Sequence, residues 1–469
     1  MRDAVKALAA LCGAGVVAAA LWRRRRRKLP PGTSGWPLVG ESLDYVQDPL
    51  GFLEKKLKMH GGTCRANLLF SNVVILGVSE ANARLILSKK DLGWPPHFQK
   101  VIGESSLPMV NDPMHKRIRT VNSRAFSDQQ LDSYLPVLQE LTAKYLANWS
   151  AGPQKPEILH PKLKRYAFEC GESVILGPPK GETDRFLELF ETAMAGLGCV
   201  FSFDLPGFPF HRCMQARREL VRHFSKMIDS RREELKEVRP VTMLDAMLVS
   251  QGMNSQEELT DFCVAMMFAG HDTTLCSIQS CLHWLKQMPL LEQELRAEAK
   301  AAWDGAKGIA RQTFERLPKL RAFLNEVWRI TPPVVIVTRT VAEDTEVDGY
   351  VVPKGWSLYY APAGDQSKAE KPKEFSIERH LREGRFVDLI FEAPSFQARF
   401  RKRPKATVFN SFGGGNRMCI GYKFARDEML IFLLQFLHGY DLVLSGSERS
   451  TFPFHFWRIK GHFSALRGS

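Results

Sequence analysis

The sequence predicts a mainly α-helical fold with small β-sheets, and three observations support this prediction. The 469 residues are 44% hydrophobic and 25% charged, which is typical of a folded globular protein. Apolar residues recur with the helical period along most of the chain, whereas short β-branched runs around Ser71-Asn72 and at Asp348-Gly349 indicate two hairpins. No repeat or low-complexity linker interrupts residues 33–469, so we expect one domain over residues 29–469.

Residues 1–28 precede this domain and have the composition of a transmembrane anchor. Ala7 to Trp22 contains no charge, and the six cations of Arg23 to Lys28 follow it immediately. With Lys6 snorkelling, the apolar stretch approaches the ~20 residues that cross a bilayer. Cations after the stretch place the domain in the cytosol, so we expect anchoring at a membrane such as the endoplasmic reticulum. A plastid or mitochondrial leader remains the alternative, because the stretch is short and rich in alanine.

The net charge of +14 does not indicate a nucleic-acid partner. Six of the positive charges belong to the run after the apolar stretch, which leaves +8 for the rest of the chain. Nucleic-acid binding calls for a basic stripe with interleaved aromatic residues, and the sequence shows none. The nine cysteines form no CxxC pair, so neither a zinc site nor a disulfide framework is indicated.

The longest predicted helix runs between Ser255 and Pro289. Ser255 and Glu258 read as a capping box, and the proline marks the end of the helix. About 32 residues at ~1.5 Å each make a rod of ~48 Å, which must lie in the core. Polar residues in the middle of such a helix therefore need a reason.

Those polar residues form a first polar island, the run Ala269-Gly270-His271-Asp272-Thr273-Thr274. Gly270 shares one face with the two threonines, so the helix offers a notch beside a hydroxyl, with an acid next to it. Glycine in a helix interior costs ~1 kcal/mol relative to alanine, which suggests close approach of a flat or bulky group. A glycine-induced kink with back-bonded threonines is the alternative.

A second polar island, Phe412 to Gly421, contains Cys419 after three consecutive glycines. The glycines let backbone N–H groups turn towards the sulfur, and a helical pattern begins directly after the loop. Both features lower a thiol pKa and favour the thiolate. A single thiolate suits haem, whose porphyrin supplies four nitrogens, better than zinc, which takes three or four protein ligands. A cysteine nucleophile served by a histidine base elsewhere in the chain stays open.

A third island consists of Glu326 and Arg329, which lie at the end of another helical pattern. Their spacing places the acid and the guanidinium on one face of the helix. Taken alone, the pair could be an ordinary surface ion pair.

Together, the three islands resemble the cytochrome P-450 family of haem-thiolate monooxygenases. The glycine-rich loop matches that family's F-x-x-G-x-R-x-C-x-G signature at every fixed position: Phe412, Gly415, Arg417, Cys419 and Gly421. The A-G-x-D-T-T run of the long helix, the E-x-x-R pair and their order along the chain match as well. The resemblance covers the chain from about residue 30 to its end.

Two segments depart from the family pattern. Pro372 to His380 looks like the meander segment, and Arg379 falls where an arginine joins the E-x-x-R pair, but Ile377 and His380 replace the usual proline and phenylalanine. His115 replaces the tryptophan of the W-x-x-x-R motif that ends at Arg119.

The resemblance implies the cytochrome P-450 fold, in which a long central helix lies over a haem, and haem b as the cofactor. Cys419 would be the metal ligand, and its electron donation favours O–O cleavage. Gly270 would leave room for dioxygen, and Asp272 and Thr273 would relay protons to it as catalytic residues. Glu326, Arg329 and Arg379 are assigned to fold integrity. The remaining cofactor contacts implied by the family are His115, Arg119, Arg339 and Arg417 at the propionates, and Phe412 and Gly415 beside the sulfur.

The implied activity is monooxygenation, with O2 and two electrons that come from NADPH through a reductase. Finer likeness points to the clan of retinoic-acid, sterol and plant-steroid hydroxylases, and it lies in Trp94-Pro95, Leu107 to Phe126, Asp204 to Gly207 and Gly349 to Trp356. We therefore expect hydroxylation or desaturation of a hydrophobic, isoprenoid-like substrate such as a retinoid or sterol. A haem-thiolate isomerase or dehydratase acting on lipid hydroperoxides, and a non-enzymatic haem-binding protein, remain alternatives. Such isomerases often lack the acid–alcohol pair, which this chain retains.

Arg399 to Lys405 adds five cations just before the glycine-rich loop. The run is either an ordinary solvated face or a docking site for an acidic electron-transfer partner, since redox encounters are steered by charge.

Overall fold

The computed structural model confirms a mainly helical chain with small sheets. It divides into two compact units, one formed by residues up to 93 together with 338–361, the other by 94–337 together with 362–469. The residues that the structure describes are 28–37, 39–68, 71–88, 94, 96–179, 181–199, 202–235, 240–250, 255–361, 371, 373–386, 411–450 and 456–466.

Fifteen α-helices are described within these ranges, and four short 3₁₀ turns lie between them in the larger unit. The helices are α1 Ser42–Gln47, α2 Pro49–His60, α3 Glu80–Ser88, α4 Pro96–Ile102, α5 Met114–Asn122, α6 Asp128–Ala151, α7 His160–Ile175, α8 Thr183–Met194, α9 Pro209–Glu234, α10 Met243–Leu248, α11 Gln256–Gln287, α12 Pro289–Ala302, α13 Arg311–Glu315, α14 Pro318–Ile330 and α15 Tyr422–Gly439. The 3₁₀ turns are Ser123–Phe126, Ala195–Gly198, Ile377–His380 and Gly415–Arg417.

The strands are short, except for the last two. They are β1 Cys64–Leu68, β2 Ser71–Ile75, β3 Glu157–Ile158, β4 Val337–Thr340, β5 Thr345–Val347, β6 Tyr350–Val352, β7 Ser357–Tyr360, β8 Leu381–Arg382, β9 Arg385–Phe386, β10 Tyr440–Ser450 and β11 Phe456–Ala465.

The smaller unit contains both predicted hairpins. β1 and β2 pair antiparallel, and β2 continues into a four-stranded sheet of order β1-β2-β7-β4. Ser71 and Asn72 belong to strand β2 and do not form the turn, because they pair with Leu68 and Asn67. In the second hairpin, Asp348 and Gly349 connect β5 to β6 with φ angles of 49° and 75°, the left-handed geometry that a tight two-residue turn requires.

The larger unit is built around helix α11, which packs against α7, α9 and strand β11. Ser255 caps its N-terminus by accepting a hydrogen bond from the Glu258 amide at 3.0 Å, so the predicted capping box is confirmed on the serine side. The Glu258 carboxylate pairs with Arg117 of α5. Met288 follows the last residue of the helix, and Pro289 begins α12, as the sequence predicts.

Burial along α11 is nearly continuous, and one window interrupts it. Residues 259–267 and 274–283 are buried, whereas Phe268, Ala269, Gly270, Asp272 and Thr273 have accessible surface. The polar run recognised in the sequence thus coincides with the accessible window of a core helix.

The predicted anchor over residues 1–28 lies outside the described residues, apart from Lys28. Within the described ranges, no helix combines the length and the apolar character that crossing a bilayer requires.

Candidate active site

Cys419 lies in a loop that folds back on itself before helix α15. Its amide donates to the Phe412 carbonyl at 2.9 Å, and the Met418 amide donates to Gly415 at 3.2 Å. Gly413 and Gly415 adopt φ angles of 71° and 68°, which explains why glycine occupies these positions. The helix begins at Tyr422 with Gly421 as its N-cap, so the predicted position of the cysteine near a helix N-terminus is confirmed.

The Cys419 side chain has accessible surface, yet protein atoms surround it closely enough that burial raises the pKa of the thiol. The Gly421 amide and the Arg119 guanidinium act in the opposite direction but do not outweigh burial. The prediction that the pKa of Cys419 is lowered is therefore wrong, because the effect of burial is larger than that of the amide and the cation. Arg119 is the cation whose charge acts on this thiol. A cation of this kind cannot act as a base, so it gives no support to a cysteine nucleophile.

Three of the predicted cofactor contacts, Arg417, His115 and Arg119, interact electrostatically with one another or with the cysteine. Arg417 donates to the Val110 carbonyl at 2.8 Å and to Asn111 Oδ1 at 3.0 Å, which fixes the loop before α5. Burial, together with the charges of Arg417 and Arg119, lowers the pKa of His115 to about 4. His115 is thus neutral at physiological pH and serves as a hydrogen-bonding group, whereas the two arginines supply positive charge.

An aromatic contact joins the cysteine loop to helices α14 and α11. Trp328 meets the Phe412 ring edge to face, with centroids 4.9 Å apart, and its carbonyl accepts from the Ser411 hydroxyl at 2.6 Å. The Trp328 indole N–H donates to Ser277 Oγ of α11 at 3.0 Å. Trp328 therefore connects the cysteine loop at Phe412 to the long helix.

The accessible window of α11 contains the predicted acid–alcohol pair. A Cβ added to Gly270 would meet no atom within 4 Å, so the notch predicted from the sequence is open space. Thr273 Oγ1 donates to the Ala269 carbonyl at 2.7 Å, which is the back-bonding considered as the alternative interpretation. Burial raises the pKa of Asp272, which favours a carboxyl that can hold a proton.

Glu428 of α15 is a buried acid that the sequence reasoning missed. It accepts a hydrogen bond from Thr274 Oγ1 at 3.0 Å, and burial raises its pKa to about 8. The available signal was a pair of acids, Asp427 and Glu428, at the start of an otherwise apolar helix. Thr274 thus points into the core, away from the accessible window that contains Thr273.

Glu326 is the centre of a buried ion cluster, so the interpretation as a surface pair is wrong. Its carboxylate accepts two bonds of 2.7 Å from Arg329, one of 3.3 Å from Arg379 and one of 2.9 Å from the Ser376 amide. His380 Nε2 lies 2.9 Å from Glu326 Oε2. Burial opposes ionisation, but the bonds from Arg329 and His380 lower the pKa of Glu326 to about 2. The histidine that departs from the family pattern is therefore a partner of the cluster.

Arg339 belongs to β4 of the smaller unit, where it is buried and donates to the Thr338 carbonyl at 2.7 Å. Its role at a propionate remains a prediction. Arg399 to Lys405 lies outside the described residues, so the docking interpretation of that basic run remains a prediction as well.

The residues present fit a haem. Cys419, with the Gly421 amide and the Arg119 cation beside it, would supply the one thiolate that a haem iron takes from the protein. Arg119 and Arg417 would supply cations for the two propionates of the haem. Gly270 leaves the space that a flat group needs on the helix side. In the part of the chain that the structure describes, no three His, Cys, Asp or Glu side chains converge into a metal site of their own.

Comparisons with known proteins agree with this geometry. The chain is 26% identical to ent-kaurenoic acid oxidase 1 of Arabidopsis thaliana over 448 residues, which cover 90% of this chain and 87% of that protein. It is 27% identical to abscisic acid 8'-hydroxylase 4 of the same plant, with coverages of 92% and 91%. Among solved structures, the retinoic acid bound cyanobacterial CYP120A1 superposes with a TM-score of 0.81 at 25% identity, covering 94% of this chain and all of that one.

The cytochrome P450 family model matches residues 30–460, which include parts of both units and all three sequence islands. Members of that family use haem b and receive electrons from NAD(P)H through a reductase. The chain therefore belongs to the cytochrome P450 family and is a haem-dependent monooxygenase.

Proposed function

We propose that this monooxygenase hydroxylates, or desaturates, a hydrophobic isoprenoid-like substrate such as a retinoid or sterol, with electrons from NADPH through a reductase. The main observation in favour of monooxygenation is the acid–alcohol pair Asp272 and Thr273, which lies in the accessible window of α11 beside the open space at Gly270. The names of the relatives support the substrate class, since ent-kaurenoic acid, abscisic acid and retinoic acid are all hydrophobic carboxylic acids.

Haem, when bound, supplies the activation of dioxygen. Cys419 would hold the iron, with the Gly421 amide hydrogen-bonded to its sulfur. Arg119 and Arg417 would pair with the propionates, His115 would add a hydrogen bond, and Arg339 is proposed for the same role. Phe412 and Gly415 would support the cysteine loop.

Asp272 and Thr273 would move protons at the accessible window of α11. Burial favours the protonated form of the Asp272 carboxyl, so this residue can carry a proton to its neighbour. The Thr273 hydroxyl would pass it on after rotating away from the Ala269 carbonyl. Glu326, Arg329 and Arg379 are proposed to maintain the fold beneath the cofactor.

For the cellular setting, we propose that residues 1–28 anchor the protein to a membrane such as the endoplasmic reticulum, with the P450 domain over residues 29–469 in the cytosol. The basis is the uncharged stretch followed by six cations. The partner would be an NADPH-dependent reductase or another electron donor.

The experiment that tests the function has two steps. Difference spectra of the ferric protein with retinoids, sterols, carotenoid fragments and fatty acids identify the class that displaces water near the iron. The best binder is then incubated with NADPH and a reductase, and product is compared with NADPH consumed. Turnover of a lipid hydroperoxide without NADPH would instead establish the isomerase or dehydratase. Binding without turnover under either condition would indicate a haem-binding protein that is not an enzyme.

A further inference from the structure

Two cysteines that the proposed reaction does not use lie together between helices α8 and α9. Cys199 directly follows the 3₁₀ turn Ala195–Gly198 at the end of α8, and Cys213 lies early in α9. The two thiols share a side-chain hydrogen bond. Both are free cysteines, so this contact joins two reduced thiols.

The backbone brings the two side chains to the same place. The Cys199 amide donates to the Gly196 carbonyl at 3.3 Å, which closes the turn before the cysteine. Residues three apart in a 3₁₀ turn lie on one side of it, so Cys199 and Gly196 share a side. That side faces α9, because a Cβ added to Gly196 would come 3.1 Å from Cys213 Cβ. The missing side chain of Gly196 thus permits the close approach that a bond between the two segments needs.

Helix α4 holds both segments in this arrangement. His97 Nε2 lies 3.4 Å from the Leu197 carbonyl of the turn, and the His97 ring meets Phe210 of α9 edge to face with centroids 6.1 Å apart. Further along α9, the Arg217 guanidinium donates to the Val101 carbonyl of α4 at 2.9 Å. The turn and the start of α9 are therefore both attached to α4, which keeps the two cysteines adjacent.

The two thiols differ in accessibility. Cys199 has accessible surface, whereas Cys213 is only 5% exposed. Burial and the neighbouring Cys199 thiol raise the pKa of Cys213, which keeps this second thiol protonated. An accessible thiol beside a buried one suits a reaction in which an oxidant meets the first and the second then captures it. Zinc is a poorer match, because the described residues form no group of three ligands.

We propose that Cys199 and Cys213 form a redox modification site, at which hydrogen peroxide converts the two thiols to a disulfide. The Cys199 thiolate attacks peroxide, so that an S–O bond forms, the O–O bond breaks and the departing hydroxide takes up a proton to leave as water. The Cys213 sulfur then attacks the sulfenic acid, so that the S–S bond forms, the S–O bond breaks and a second water leaves with the Cys213 proton. Two thiols are oxidised and one peroxide is reduced to two waters. The product ties the end of α8 to the start of α9, whichever substrate the enzyme oxidises.

The first test treats the haem-loaded protein with a few equivalents of hydrogen peroxide, blocks the remaining thiols with N-ethylmaleimide and maps the peptides by mass spectrometry. Wild type should lose two blockable thiols and yield one cross-linked peptide pair, Cys199 with Cys213, which a phosphine reductant separates. Cys199→Ser and Cys213→Ser should each abolish the cross-link. Cys213→Ser should instead leave a sulfenic acid on Cys199 that dimedone labels, because the capturing thiol is gone.

Cys281→Ser is the matched control. Cys281 of α11 is also buried, and burial alone raises the pKa of its thiol, so this variant should form the cross-link in full. A disulfide that joins Cys199 or Cys213 to another cysteine would overturn the proposal. An unchanged thiol count, or a sulfenic acid that persists on Cys199 of wild type, would overturn it as well. Wild type alone decides these outcomes even if a serine variant fails to fold.

The second test asks whether the disulfide joins the two segments. Amide hydrogen exchange is compared in peroxide-treated wild type before and after reduction. The Cys199 amide should exchange about tenfold more slowly in the oxidised protein, because opening of its bond to Gly196 is restricted by the link to α9. Amides of α14 serve as the internal control and should not change. Equal exchange of the Cys199 amide in both forms would refute the tying of α8 to α9.

Discussion

Replacing Glu326 by glutamine should lower the free energy of unfolding by about 3 kcal/mol at pH 7. The carboxylate is fully buried and accepts hydrogen bonds from Arg329 and the adjacent chain segment. Burial alone would favour the neutral acid, yet the bonds from Arg329 and His380 lower its pKa from 4.5 to about 2. The difference between these two values corresponds to about 3 kcal/mol of stabilisation that only the ionised form receives.

The same pairing predicts how stability changes with pH. Because the pKa of Glu326 is depressed in the folded protein, its contribution is complete above about pH 4.5 and is lost as the pH falls towards about 2. Glu326→Gln lacks this titration. The gap in stability between wild type and variant should therefore be constant from pH 7 to pH 5 and should narrow below pH 4.5.

Urea unfolding at matched haem content, followed by circular dichroism at several pH values, measures both effects. Glu315→Gln is the control, because Glu315 pairs with Arg321 from an exposed position and should cost no more than about 0.5 kcal/mol. If Glu326→Gln is as stable as this control at pH 7, or if its deficit persists unchanged below pH 4, the ionised cluster is not what stabilises the fold.

Three further outcomes are expected. Thr273→Ala should keep haem content and substrate affinity, but product per NADPH should fall about tenfold, with the electrons recovered as hydrogen peroxide; full coupling would refute the proposed proton path. Cys419→Ser should lose the long-wavelength absorption band that the reduced carbon monoxide complex of thiolate-ligated haem shows, and a retained band would mean that another residue binds the iron. Deleting residues 1–28 should release a soluble protein with unchanged haem content, because the sequence motifs all lie beyond that segment; failure to fold would show that the segment belongs to the core.

Local patterns were sufficient to predict the elements that carry the motifs. The helical period and the capping serine predict the length and the start of α11. The Asp-Gly pair predicts the turn at residues 348 and 349, and the glycines before Cys419 predict its position just before a helix. Each of these signals spans only a few neighbouring residues or one regular period. The pKa of the thiol was predicted with the wrong sign, because burial depends on packing by distant segments. Likewise, His380 and Glu326 are 54 positions apart in the sequence, and the period of a helix or strand does not predict a contact over that distance.

The two adjacent threonines of α11 have the same predicted position relative to Gly270 but different surroundings in the fold. Helical spacing places both on the face of Gly270, but Thr273 borders the accessible window whereas Thr274 is buried and bonds Glu428. Thr274→Ala would remove a hydrogen bond that lowers the pKa of the buried Glu428, so its effect would mix packing with proton delivery. Thr274→Ser keeps the hydroxyl and is the better control for Thr273→Ala. Coupled turnover in Thr274→Ser together with uncoupling in Thr273→Ser would mean that the Thr273 methyl group, rather than its hydroxyl, is what the reaction needs.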